Sequence, residues 1–172
     1  MTERTVASRT REVSWEDPMV TAGRATQTDG LTFLRGLLDG SLPPPPIATL
    51  LGMQPRSVER GSVRFALDVG EHLYNPIGSV HGGVFCTLLD TVMGCAVHST
   101  LPAGRAYTTL ELKVNLVRPL TVATAGVIAE GEVVTTGKRV ATATGRIVDA
   151  DGKLYAHATT TCLVFDVVSS AA

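Results

Sequence analysis

The 172-residue chain is short of several things. It has only three cysteines, Cys86, Cys95 and Cys162, and no C-x-x-C pair, which argues against a disulfide framework or a cysteine-ligated zinc site. No excess of one charge is present either. Fifteen Lys+Arg stand against 16 Asp+Glu, a net charge of -1 that gives no electrostatic footprint for nucleic acid or an anionic membrane. Long apolar runs are missing too: the stretch from His72 to Gly104 is nearly uncharged but is broken by Pro76, Gly82-Gly83 and Asp90, far short of the roughly 20 residues that span a bilayer. Charges scattered over the first dozen residues, with no apolar run behind them, do not make a secretory signal. What remains, with 44% hydrophobic residues, is one globular core, expected in a reducing cytoplasm.

Residues 1–28 show no period and are expected to form a mobile N-terminal arm. Residues 29–46 read as a short helix, capped by Asp29 or Thr28 and stopped by Gly40, followed by the spacer Pro43-Pro44-Pro45-Pro46. The main domain covers 47–168. It opens with a short apolar turn over 47–52, and alternation from Arg56 to Val69 then predicts one strand. Val84 to His98 is apolar on nearly every face, so this helix must be buried. Of the 59 residues from Tyr107 to Phe165, 22 are Val, Ile or Thr, which makes the region sheet. Breaks at Arg118-Pro119, Thr136-Gly137 and Asp149-Ala150-Asp151-Gly152 cut it into a meander of four strands. The fold class is therefore α+β, a curved antiparallel sheet wrapped around one long buried helix.

Asp90 is the only charged residue between His72 and Gly104. A lone carboxylate in so apolar a helix either has a use or is a core residue satisfied by hydroxyls such as Thr87 and Thr91. Just before the helix stands Asn75-x-x-Gly78-x-x-His81-Gly82-Gly83. A helix N-terminus offers unpaired N–H groups, and glycine lets another group approach the backbone, so this junction suits an oxyanion. The plainer reading is a tight loop-to-helix turn with His81 near the cap. Gly82 and Asp90 are eight residues apart, about 12 Å along a helix, so one carbonyl cannot reach both. If both act on one substrate, they come from two copies of the helix, antiparallel across a two-fold axis.

These motifs resemble the hotdog-fold acyl-CoA thioesterases of the phenylacetic-acid-degradation and 4-hydroxybenzoyl-CoA thioesterase type, over about residues 47–166. The resemblance rests on Asn75-Pro76-x-Gly78-x-Val80-His81-Gly82-Gly83, on Asp90 nine residues after His81, and on the strand from Thr108-Thr109 to Arg118-Pro119. It implies that the Gly82 N–H polarises a thioester carbonyl, beside Gly83. Asn75 and His81 would place the carbonyl or the water, and Asp90 of the partner subunit would act as nucleophile or general base. Thr109 matches the strand residue that assists the acid, with Thr108 as its neighbour. Some relatives carry a hydroxyl one turn after the acid, where this chain has Gly94. The family implies a homodimer at least and a tetramer of two dimers. With aromatic residues at only 5%, a broad preference for aromatic or medium-chain acyl-CoA esters is expected, and since thioester hydrolysis needs little beyond an oxyanion donor and a base or nucleophile, no metal or cofactor is, CoA being part of the substrate.

Lys138, Arg139 and Arg118 are candidates for the CoA phosphates, or else solvated surface charge. No Ser or Cys nucleophile is set up, because Gly78-Ser79-Val80-His81-Gly82 is not G-x-S-x-G and Cys86 has no evident base nearby. The rival class is a non-catalytic acyl-CoA or lipid binder or sensor on the same fold. Asp90 argues against it, since a binder has no reason to set an unpaired carboxylate beside an acyl chain.

Overall fold

The β-branched region folds as expected into four long strands, β3 (Arg105–Leu116), β4 (Gly126–Thr136), β5 (Val140–Val148) and β6 (Leu154–Asp166), in a computed structural model that describes residues 8–167. Before them come α1 (Pro18–Gln27), α2 (Gly30–Asp39), α3 (Pro46–Leu51), β1 (Met53–Glu59), β2 (Ser62–Asp68) and the long helix α4 (Gly82–His98). All six strands form one antiparallel sheet in the order β1-β2-β4-β5-β6-β3. The hotdog arrangement holds: α4 lies against the sheet, with Leu88, Leu89, Val92, Met93, Ala96 and Val97 fully buried. Close approach at its middle depends on Gly131 of β4, where a Cβ would stand 2.3 Å from the Val92 carbonyl oxygen.

Four local expectations are corrected. The alternating run from Arg56 to Val69 is not one strand but part of the hairpin β1–β2, turned at Arg60-Gly61, where Gly61 takes a φ of 82°. Strands β4, β5 and β6 are a meander, but β3 is not its first member: it pairs with β6 at the far edge. Part of the expected arm is helix. Asp17 accepts from the Met19 N–H, Pro18 sits in the first turn where its missing N–H costs nothing, and Thr21 is buried with its hydroxyl donating to the Pro43 carbonyl. Residues 1–7 of that arm, and residue 168 at the end of the main domain, lie outside the described residues. Of the four prolines, Pro45 is extended at φ -64° and ψ 146°, while Pro46 opens α3 where a turn was expected.

Helix α2 follows the sequence closely. The Asp29 carboxylate accepts from the Thr32 N–H, and Gly40 ends the helix in the left-handed region at φ 79°. Its first residue, Gly30, packs onto the C-terminal end of α4 so tightly that a Cβ would meet the His98 carbonyl oxygen at 1.8 Å. The N-terminal helices are thereby docked on the end of α4.

Candidate active site

The loop entering α4 is closed by Asn75. Its Oδ1 accepts from the Ile77 and Ser79 N–H groups at 3.0 and 3.2 Å, and its Nδ2 donates to the Ser79 hydroxyl. The acceptor oxygen is thus spent on the loop itself, so Asn75 shapes the approach to the helix. His81 follows as N-cap, with its own N–H donating to the Leu73 carbonyl and its Nδ1 accepting from the Gly83 N–H at 2.9 Å. An imidazole nitrogen that accepts carries no proton, which leaves the proton on Nε2 of the exposed ring as an outward donor. The Val84 N–H also turns back, to the His81 carbonyl. The Gly82 N–H has no hydrogen-bond partner among the described residues, and Leu116 of β3 stands beside it. The helix therefore presents one open donor at its positive end.

Two turns on, the Thr109 hydroxyl donates to Asp90 Oδ1 at 2.8 Å. Thr109 reaches the acid because it faces α4. Thr108 pairs with Leu163 and, one residue along the strand, points to the opposite face, so the structure does not bring it to Asp90. A bulge between Thr109 and Glu111 follows directly, a device that re-aims side chains at the rim of a site. Thr87 and Thr91 do not satisfy the acid, since their hydroxyls donate to the Gly83 and Thr87 carbonyls. Asp90 is half-buried, with Thr109 as its one hydrogen-bond donor among the described residues.

The hydroxyl missing at Gly94 has a counterpart that the sequence did not reveal. Tyr107, two residues before Thr109 and on the same strand face, lays its phenol against Gly94, where a Cβ would stand 2.5 Å from the hydroxyl oxygen. Burial raises the Tyr107 phenol well above its ordinary range. Cys95 is pushed up to about 12, by burial first and then by the Asp90 charge, so it stays a thiol and is no nucleophile. His98, at the end of the same helix, was also missed, because its relation to Tyr107 and Phe33 is purely tertiary.

The three candidate cations are not one cluster. The Arg118 N–H bonds to the Tyr155 carbonyl at the start of β6, whereas the Arg139 carbonyl accepts from Val164 near its end, nine residues or roughly 30 Å further along. Lys138 adjoins Arg139 in the exposed β4–β5 turn, and its carbonyl accepts from Arg105. Nor are Gly82 and Asp90 joined within one chain, eight residues of helix separating them by about 12 Å.

A curved sheet around a buried helix is the hotdog arrangement, and an open amide at the helix start and one oriented carboxylate at mid-length are groups that acyl-transfer chemistry can use. A family model described as the thioesterase superfamily matches residues 77–156. A candidate thioesterase of Ralstonia eutropha JMP134, related to phenylacetic acid degradation, is 31% identical over 75% of this chain and 97% of its own, with a TM-score of 0.68. A thioesterase family protein from Silicibacter pomeroyi is 27% identical over 70% of this chain and 90% of its own, with a TM-score of 0.66. Among curated proteins, a candidate esterase of Halobacterium salinarum is 35% identical over 102 residues, 56% of this chain and 66% of that one. The chain belongs to the thioesterase superfamily. Among the described residues, no helix is long and apolar enough to cross a membrane.

Proposed function

We propose that the protein hydrolyses acyl-CoA thioesters, with aromatic or medium-chain acyl groups, to the free acid and CoA at a site shared by two copies. The observation that carries this reading is a separation. Thr109 turns Asp90 toward β3, while the open Gly82 N–H lies about 12 Å away on the same helix, too far for both to act on one carbonyl. Two copies of α4 running head to tail bring Gly82 of one subunit opposite Asp90 of the partner subunit.

The exposed edge of β3 favours such pairing. It is 12 residues long and carries the exposed Leu110 and Leu116, whereas the opposite edge strand, β1, contains Pro55 and is covered by α2 and α3. A long unprotected edge is a template for a second strand. We further infer a homodimer as the minimal unit, and a tetramer of two dimers.

In the reaction, the Gly82 N–H binds the thioester oxygen as it gains charge, and the His81 Nε2–H orients the carbonyl or the water. Asp90 of the partner subunit either takes a proton from water as the oxygen attacks, or attacks itself to form a mixed anhydride that water then opens. In both routes the tetrahedral adduct collapses with loss of the C–S bond, and the CoA thiolate takes up a proton. Arg118 serves the CoA phosphates at the Gly82 end, and two-fold symmetry would place Lys138 and Arg139 of the partner subunit toward that same end.

The test is thiol release from phenylacetyl-, benzoyl- and medium-chain acyl-CoA by the wild type and Asp90→Asn. A fall of about 10²- to 10⁴-fold in kcat is expected. Equal rates in the two proteins would remove Asp90 from the mechanism.

A further inference from the structure

Of the three tyrosines, Tyr107 is the one whose hydroxyl the fold leaves unused. The Tyr74 hydroxyl accepts from the Val122 N–H at 2.8 Å, and the Tyr155 hydroxyl donates to the Asp149 carboxylate at 3.1 Å. The Tyr107 hydroxyl has no hydrogen-bond partner among the described residues. Burial first, then the nearby Cys95, Asp90 and Cys162, raise its pKa, so it stays a neutral phenol. A phenol in so apolar a setting ordinarily finds a partner, and to fill space against Gly94 a phenylalanine would serve as well. Unlike the two ring nitrogens of His98, which are shut off from solvent, the phenol oxygen is not sealed in.

The ring of Tyr107 is a wall. On one side lies a cavity of about 460 Å³ between α1, α2 and the C-terminal end of α4, with Cys95 and His98 in its floor; neither Asp90 nor Thr109 lines it. The acid stands on the other side. Gly94 follows Asp90 by four residues, so the two lie on one face of α4 with about 5–6 Å between their Cβ positions. The phenol oxygen stands 2.5 Å from the Cβ place of residue 94, and Thr109, two residues along β3, already holds Asp90 Oδ1 at 2.8 Å. The phenol is therefore beyond direct reach of the carboxylate, on the order of 5 Å from it, which is the span of one water bonded at both ends. Only glycine at 94 allows this, because a Cβ there would meet the phenol oxygen and the ring.

We propose that Tyr107 holds the attacking water against Asp90, and that residue 94 is glycine so that the phenol can reach that place. The proposal rests on the reading of this chain as a thioesterase with Asp90 as its reacting acid. The water donates one hydrogen to Asp90 Oδ2 and the other to the phenol oxygen, which leaves a lone pair for the thioester carbon held at the partner subunit's Gly82. As the oxygen–carbon bond forms, Asp90 takes the first proton. When the C–S bond breaks, the CoA thiolate takes that proton up. A neutral phenol suits the task, since a phenolate would repel the carboxylate.

The test is Tyr107→Phe, which keeps the ring and removes the oxygen. Thiol release from phenylacetyl-, benzoyl- and medium-chain acyl-CoA should show kcat lower by about tenfold, as the loss of one hydrogen bond implies, with KM within about twofold. A rescue separates the hydroxyl from packing. Tyr107→Leu should lose at least as much; Gly94→Ser added to it should recover several-fold by supplying a hydroxyl from the helix, and Gly94→Ala added instead should recover nothing. Wild-type kcat in Tyr107→Phe, a loss confined to KM, or equal rates of the two double variants overturns the proposal. A second arm needs no turnover: a crystal structure of the wild type should hold one water within about 3.2 Å of both the Asp90 carboxylate and the Tyr107 hydroxyl, and that of Tyr107→Phe should not. That water without hydrolysis of any ester would uphold the arrangement and refute the thioesterase reading; hydrolysis without that water would do the reverse.

Discussion

The Thr109 hydroxyl on β3 donates to the Asp90 carboxylate on α4 at 2.8 Å, the one hydrogen bond to that acid from the described residues. It ties the edge strand to the middle of the helix, and it leaves the second carboxylate oxygen for a water or a carbonyl. Thr109→Val keeps the shape and removes the donor. It should lower kcat about ten- to a hundredfold, with a smaller effect on KM, and Thr109→Ser should restore most of the loss. If Thr109→Val reacts at the wild-type rate, the hydroxyl does not orient the acid.

The seating of α4 depends on Gly131. A methyl there meets the Val92 carbonyl oxygen at 2.3 Å, and backbone on both sides leaves little room to yield. Gly131→Ala should cost about 2–4 kcal/mol of stability. Gly78→Ala, at an open position with φ 86°, should cost less, since only backbone strain opposes it. Urea midpoints of the two variants check the order. Equal midpoints would mean that the helix lies further from β4.

Acid should destabilise the fold early. Burial, only partly offset by Asp29, keeps the His98 pKa below the ordinary 6.5, with Tyr107 and Cys95 as the other titratable groups against it. As pH drops through 6.5 the unfolded chain takes up a proton that the folded chain refuses, so stability falls until the folded pKa is reached and then levels off. His72 is lowered as well, by burial and then by Arg11, and contributes in the same window. Asp29 and Asp39 are held below 3.8 by hydrogen bonds from Thr32 and Ser41, so their contribution is lost only at lower pH. Thermal melts between pH 7 and 4.5 should show a falling Tm in the wild type and a shallower fall in His98→Leu. Parallel curves would mean that the ring is not buried neutral.

Much of the fold was legible because local chemistry and periodicity agree. The all-apolar run around Asp90 had to be a buried helix, Gly40 had to end α2, and the dense Val, Ile and Thr after residue 105 had to be sheet. The hairpin at Arg60-Gly61 was overlooked because the alternation is clear only from Val63 to Val69; Val58 lies five residues before Val63, so the phase changes across Gly61 and marks the turn. Helix α1 was hidden because its apolar period is weak, although Asp17-Pro18 is a start signal. That β3 pairs with β6 is a fact of topology that no local run encodes. At the candidate site, the diglycine, His81 and Asp90 could be picked out by spacing, and Thr109 only by the family resemblance. Tyr107 and His98 could not, since one fills the gap at Gly94 and the other closes a cavity roofed by helices more than 60 residues away in sequence.

The central claim, that the amide and the acid of one site come from different chains, is tested most directly by mixing two inactive proteins. Asp90→Asn removes the acid. Gly82→Pro removes the amide donor and is tolerated at the first residue of a helix, where the preceding His81 already has the extended φ -61° and ψ 136° that proline requires. After unfolding and refolding together in equal amounts, half the dimers are mixed, and each mixed dimer holds one site with both groups intact. Thiol release should return to about a quarter of the wild-type rate. A mixture as inactive as its two components would contradict the shared site.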